Sequence, residues 1–211
     1  MTQKLYQEDP YLLTCKAKVL SLNGRAIVLD QTVLFAFAGG QATDKGTIGG
    51  INVAQALDGE DITYILDADP PFKVGDSVDV IVDGTERDQL RRLHSAAHVV
   101  CGVFEKKTGV KECIGSNVSV RKARVDYPYP TPITPLLPDL EKEVNAFISA
   151  GHPVHVGRDP KDPKMFTWKS DFIEMHCCGT HVCNSKEIGA VRLKRANVGK
   201  GKERIEITLA G

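Results

Sequence analysis

No apolar run in this chain approaches the roughly 20 residues that a membrane-spanning helix needs. The opening segment, Met1 to Pro10, has no apolar core of the kind a secretory signal carries. A cytoplasmic location without a membrane partner is therefore expected. Cysteine is present but sparse: the six, at positions 15, 101, 113, 177, 178 and 183, show no compact disulfide framework. Reduced thiols, one of them on a metal, are the simpler account. No glutamate follows His94, which argues against a zinc peptidase of the His-Glu-x-x-His type. No aromatic signature of an RNA-binding module is present, so a nucleic-acid partner is not legible from stacking residues. What remains is an ordinary globular composition, 42% apolar and 26% charged.

The net charge of zero hides an asymmetry. Residues 1–87 hold 7 Lys+Arg against 13 Asp+Glu, and residues 88–211 hold 20 against 14. The split predicts two domains, 1–87 and 88–211, with any polyanionic partner on the second. The first domain reads as short strands with turn signals: 14–22, a hairpin at Asn23-Gly24, then 25–30, 33–38, 62–66 and 78–82. That pattern predicts a small β-barrel. In the second, Thr85 is the expected cap of a helix over 87–107 that Thr108-Gly109 ends. A strand over 118–125, a proline-rich loop over 127–138 and a helix over 139–149 follow. Strands at 154–156 and 172–175 come next, then a hairpin of 191–198 and 204–209 with a basic tip. Helices among antiparallel strands make this an α+β two-layer domain.

Two short motifs carry the chemistry. In His94-Ser95-Ala96-Ala97-His98 the two histidines sit at helical i, i+4 spacing, so both imidazoles leave one face about a turn apart. Cys177-Cys178-Gly179-Thr180-His181 can add a thiolate and a third imidazole, the ligand chemistry that zinc prefers. Either motif alone is weak, since paired histidines are more often packed or solvated than metal-bound. Together they point to a Zn2+ site.

Further segments fall into a recognisable order: Lys4-Leu5-Tyr6-x-Glu8-Asp9-Pro10-Tyr11, Gly39-Gly40-Gln41-x-x-Asp44-x-Gly46, the histidine helix, Gly115-Ser116-x-Val118, the Cys177 motif and Glu187-Ile188-Gly189. With these the whole chain resembles the AlaX-type alanyl-tRNA editing proteins, free-standing relatives of the editing domain of alanyl-tRNA synthetase. The resemblance implies an N-terminal barrel followed by a zinc-containing editing domain. It implies ATP-independent hydrolysis of tRNA for alanine mischarged with serine and, in some members, glycine. A pocket for alanine cannot exclude glycine, and it rejects serine only by about a hundredfold, so a second, hydrolytic site is needed.

The same resemblance puts His94, His98, Cys177 and His181 at the metal, with Cys177 rather than Cys178 four residues before the histidine. It puts Ser116, Gln41, Gly179 and Thr180 at the substrate, Ser116 being the candidate sensor of the serine hydroxyl. Arg91, Arg92, Lys194, Arg195, Lys200 and Lys202, with Arg192, Lys106 and Lys107 beside them, are candidate phosphate contacts for the tRNA(Ala) acceptor stem, whose A-form helix is read mainly by backbone and shape. Cys178 stands where the family usually has glycine, and Ala38 replaces the first of three glycines. Four protein ligands complete a tetrahedral shell, which ordinarily marks a structural metal. Two other readings therefore stand beside editing of tRNA(Ala): a zinc-stabilised RNA-binding module without catalysis, and an editor of another aminoacyl ester. Asp171 and Glu174 precede the second motif as candidate acid or base groups. Nothing in the sequence fixes the oligomeric state, and a monomer is the simplest reading.

Overall fold

The computed structural model describes residues 1–162, 165–199 and 201–210, and divides into two compact units, Met1–Asp88 and Gln89–Gly211. In the first, β1 (Gln3–Lys4) pairs in parallel with β4 (Gln31–Thr32). Six further strands close into a barrel: β2 (Thr14–Asn23), β3 (Ala26–Leu29), β5 (Gly46–Ile48), β6 (Ile51–Leu57), β7 (Thr63–Leu66) and β8 (Ser77–Val82). Their order is β2-β3-β7-β6-β5-β8, with β8 returning to β2. Closure leaves no unpaired edge. The alternate residues Ala17, Val19, Ile27, Leu29, Tyr64, Leu66, Val78, Val80 and Val82 turn inward to form the core.

The first hairpin turns on Gly24 and Arg25, between the paired Asn23 and Ala26, one residue later than the sequence suggested. Gly24 takes φ +57, the sign that a type II′ turn requires of its first central residue.

The expected strand over 33–38 does not form. Val33 to Ala36 are buried, but their backbone is satisfied by side chains rather than by a ladder. The Leu34 amide donates to Thr32 Oγ1 at 3.1 Å and the Phe35 amide to Asp44 Oδ2 at 2.7 Å, while the Val33 carbonyl accepts from Arg87 at 2.6 Å. An apolar run with side-chain partners of this kind fills the core without being a strand. Strands β5 and β6, which the sequence pattern did not reveal, close the barrel instead. Gly46 is required there, because a Cβ would lie 2.1 Å from the Ile81 carbonyl oxygen across the β5–β8 pairing.

Helix α1 (Gly84–Thr108) starts three residues earlier than expected. Its cap is Asp83 rather than Thr85: Asp83 Oδ1 accepts from the amides of Thr85 and Glu86, each at 3.0 Å. The second unit then builds a sheet of order β14-β15-β10-β9 from β9 (Gly115–Val118), β10 (Ala123–Pro128), β14 (Val191–Asn197) and β15 (Lys202–Leu209). The expected single strand over 118–125 is thus a hairpin, broken where the Ser119 side chain accepts from the Lys122 amide and donates to its carbonyl. The proline-rich segment is shorter as a loop than expected, since β10 runs to Pro128 and α2 (Leu137–Ala150) begins early. Gly151, at φ +77, ends α2 in the left-handed conformation. Leu140, Val144, Phe147 and Ile148 are its buried stripe, and Asn145 clasps both the amide and the carbonyl of Val191 at the start of β14.

A separate sheet joins β11 (His155–Arg158), β12 (Phe166–Ser170) and β13 (Ile173–His176). Helix α1 meets β13 where Gly102 faces Ile173, and a Cβ at 102 would come within 2.5 Å of the isoleucine. We therefore expect Gly102→Ala to cost about 1–3 kcal/mol by overpacking. The loss is measurable by urea denaturation, and metal retention is expected to weaken because β13 leads directly to Cys177.

Candidate metal centre

The two motifs converge. Helix α1 presents His94 and His98 from one face, with ring centroids 4.8 Å apart. Strand β13 delivers Cys177, whose amide extends the β12–β13 pairing by donating to the Phe166 carbonyl at 2.9 Å. The loop beyond β13 turns back with His181. Cys177 Sγ lies 3.3 Å from His94 Nε2 and 3.4 Å from His181 Nε2, and the Nε2 atoms of His98 and His181 are 3.1 Å apart. All four donor atoms fall within 4.8 Å of one another, and the group can hold a metal ion.

Its surroundings favour neutral imidazoles. Burial pushes His94 down to about 4; it also pushes His98 and His181 well below the ordinary value, and neighbouring imidazoles add to the effect. Their lone pairs are therefore available at neutral pH. Burial pushes the Cys177 thiol up to about 12, so without a cation the site holds a thiol. A bound cation reverses that preference, because a coordinating thiol is deprotonated. The Gly179 amide, 3.5 Å from the sulfur, also favours the thiolate.

The low imidazole values set a pH dependence for the metal-free protein. An unfolded histidine binds a proton near pH 6.5, whereas the folded His94 binds one only near 4. Stability is therefore full above about pH 6.5 and falls as the pH drops towards 4. His94 alone contributes about 3 kcal/mol to that loss. Thermal denaturation of chelator-treated protein between pH 4 and 7 checks it.

Two residues that sequence reasoning missed hold the loop. Ser95 Oγ accepts from the Val182 amide at 3.1 Å in a buried setting, tying the loop that carries His181 to α1. The fully buried Trp168 ring lies 4.9 Å from that of His98. Ser95 could have been suspected from its place inside the first motif. Trp168 carries no local signal, because only β-pairing brings it to the site.

The other candidates are dispersed. Thr180 is fully buried in the metal loop, beside the half-buried Gly179. Ser116 is exposed on β9, opposite Val125. Gln41 is fully buried in the first unit. Arg91 is 7% exposed, which removes it from any open basic surface. Arg92 donates to the Ile188 carbonyl at 3.0 Å. Arg195 is paired through two guanidinium nitrogens with Glu203. Lys194 and Lys202 are exposed, while Lys200 lies outside the described residues. Of the candidate acid or base groups, Glu174 pairs with Lys169 at 3.1 Å. Asp171 forms the β12–β13 turn at φ +49, 3.9 Å from His152. Cys178 is half-buried, and its sulfur is not among the four donors.

Comparison with known proteins places this centre. The chain is 35% identical to the alanyl-tRNA editing protein AlaX-M of Pyrococcus horikoshii, over 99% of its own length and 98% of the relative's. It belongs to the AlaX-M family. A second member, from Saccharolobus solfataricus, is 27% identical over 99% of both chains. The alanine–tRNA ligase of Methanococcus vannielii is 30% identical over 97% of this chain, which spans 26% of that longer protein. The family model described as the threonyl and alanyl tRNA synthetase second additional domain matches residues 170–206, the segment containing Cys177 and His181. No helix among the described residues is long and apolar enough to cross a membrane.

Proposed function

We propose that this AlaX-M member is a zinc-dependent trans-editing deacylase that hydrolyses Ser-tRNA(Ala), and with it Gly-tRNA(Ala), in the cytoplasm. The observation that carries the reading is the cluster of His94, His98, Cys177 and His181 within the end-to-end likeness to AlaX-M. The donor set fits zinc. Bonds of about 2.0–2.1 Å to nitrogen and about 2.3 Å to sulfur give tetrahedral edges of about 3.3 Å between nitrogens and about 3.6 Å from sulfur to nitrogen. The nearest donor pairs, at 3.1, 3.3 and 3.4 Å, are close to those edges.

When bound, zinc supplies a Lewis acid or lowers the pKa of a bound water. The chain's own residues supply the rest. The Gly179 amide and the Ser95–Val182 bond fix the loop that carries Cys177 and His181, while Trp168 shields the His98 ring from water. Thr180, Gly179 and Ser116 are the proposed substrate contacts, with Gln41 from the first unit. A site that satisfies the serine hydroxyl leaves its own polar groups unpaired when alanine is bound, which protects correctly charged tRNA. Lys194, Lys202 and the exposed Arg192 are the proposed contacts to acceptor-stem phosphates, and the protein acts as a monomer.

The four-donor shell favours one other reading, a metal-stabilised RNA-binding module without catalysis. Single-turnover assays with Ser-tRNA(Ala) and Ala-tRNA(Ala) separate the two. Editing predicts rapid release of serine with alanine retained. Binding of both tRNAs without release of either amino acid favours the module.

A further inference from the structure

A second cysteine cluster lies outside the metal centre. Cys101 sits on α1, one turn beyond His98, and Cys113 lies in the segment that leads into β9. The two thiols are free and hydrogen-bonded to one another. Their settings differ. Cys101 lies against the Tyr127 hydroxyl, within a wall where Tyr127 stacks on Phe104 at 4.2 Å. Cys113 is exposed, with its sulfur 3.2 Å from the Gly115 carbonyl oxygen. A sheltered thiol in contact with an accessible one is the arrangement of a resolving and a reacting cysteine.

We propose that Cys101 and Cys113 form a redox-active dithiol that hydroperoxides convert to a disulfide. The Cys113 thiolate attacks one peroxide oxygen. The O–O bond breaks, the departing hydroxide takes up a proton to become water, and Cys113 becomes a sulfenic acid. The Cys101 sulfur then attacks the Cys113 sulfur. The S–O bond breaks, and the departing hydroxide leaves as water with the Cys101 proton. Two electrons pass from the thiols to the peroxide, and an S–S bond replaces two S–H bonds. Hydrogen-bonded sulfurs need only side-chain rotation and a small approach to reach the roughly 2.05 Å of a disulfide.

The electrostatics agree with that order of events. The Cys101 contact, followed by backbone hydrogen bonds at Gly115 and Asp126, holds Cys113 down at about 6, while Cys101 is pushed well above the ordinary thiol range. The bridge ties α1 directly to the entry of β9, the strand that carries Ser116.

Hydrogen peroxide applied to the zinc-replete full chain, followed by non-reducing digestion and mass spectrometry, tests the proposal without reference to deacylation. The expected product is a Cys101–Cys113 cross-linked peptide lighter by two hydrogens. Cys101→Ser should instead accumulate a dimedone-trapped sulfenic acid at Cys113, and Cys113→Ser should leave Cys101 unmodified. Iodoacetamide labelling of Cys113 should rise through about pH 6, where an ordinary thiol rises near 8.5. Oxidation confined to Cys177, Cys178 or Cys183, with Cys101 and Cys113 still alkylatable, would overturn it. So would an ordinary pH profile at Cys113 in correctly folded protein.

Discussion

Replacing Cys177 with alanine is expected to empty the metal centre. Zinc content should fall from roughly one equivalent per chain to near zero after dialysis. The sulfur is the only thiolate donor in the cluster, 3.3 Å from His94 Nε2 and 3.4 Å from His181 Nε2. Alanine leaves three imidazoles with no anionic partner for the cation. Loss of a residue that merely orients a ligand costs about 10–100-fold in metal affinity, so loss of the ligand itself should exceed that range. Because zinc binding contributes to folding, the second unit should also melt earlier. Cys178→Ala is the control. Its sulfur lies outside the donor set, so metal content should be unchanged. Inductively coupled plasma analysis of both variants decides the matter, and zinc retained by Cys177→Ala would mean that Cys178 can replace it.

The second large effect lies in the barrel. Asp44→Ala is expected to destabilise the protein by about 3–5 kcal/mol, the cost of leaving one member of a buried ion pair without its partner. Arg87 and Asp44 are 0% and 1% exposed. Arg87 Nε donates to Asp44 Oδ1 at 3.0 Å, and its remaining nitrogens hold the carbonyls of Pro10 and Val33. The substitution strands that guanidinium and frees the Phe35 amide that Asp44 Oδ2 accepts. Replacing both partners with apolar residues should recover much of the loss, since no unpaired charge then remains. Urea denaturation followed by circular dichroism measures all three variants. A cost below about 1 kcal/mol for Asp44→Ala would show that water reaches the pair.

The contrast between these two sites shows what the sequence makes legible. The metal donors lie in two local patterns, each with a spacing that backbone geometry interprets: i, i+4 on α1, and a tight loop after β13. Amphipathic α2, the terminal hairpin and the barrel class were legible for the same reason. The partnership of Arg87 with Asp44 was not, although Asp44 stood in a recognised segment, because nothing local says that a helix-start arginine will satisfy it. Val33 to Ala36 read as a strand because burial alone looks the same in a sequence whether the backbone is paired to a ladder or to side chains. Arg91 read as a phosphate contact because position on a helix does not reveal which face is covered. Arg195 read the same way, but Glu203, across the terminal hairpin, claims it.

The central claim is that His94, His98, Cys177 and His181 hold a zinc on which serine removal depends. Its most direct measurement is the single-turnover rate of Ser-tRNA(Ala) hydrolysis by zinc-replete protein beside Cys177→Ala, with zinc content determined on the same samples. Loss of zinc and of serine release together in the variant, with Ala-tRNA(Ala) spared by the parent protein, is the predicted result. Undiminished serine release by a variant without zinc would contradict it.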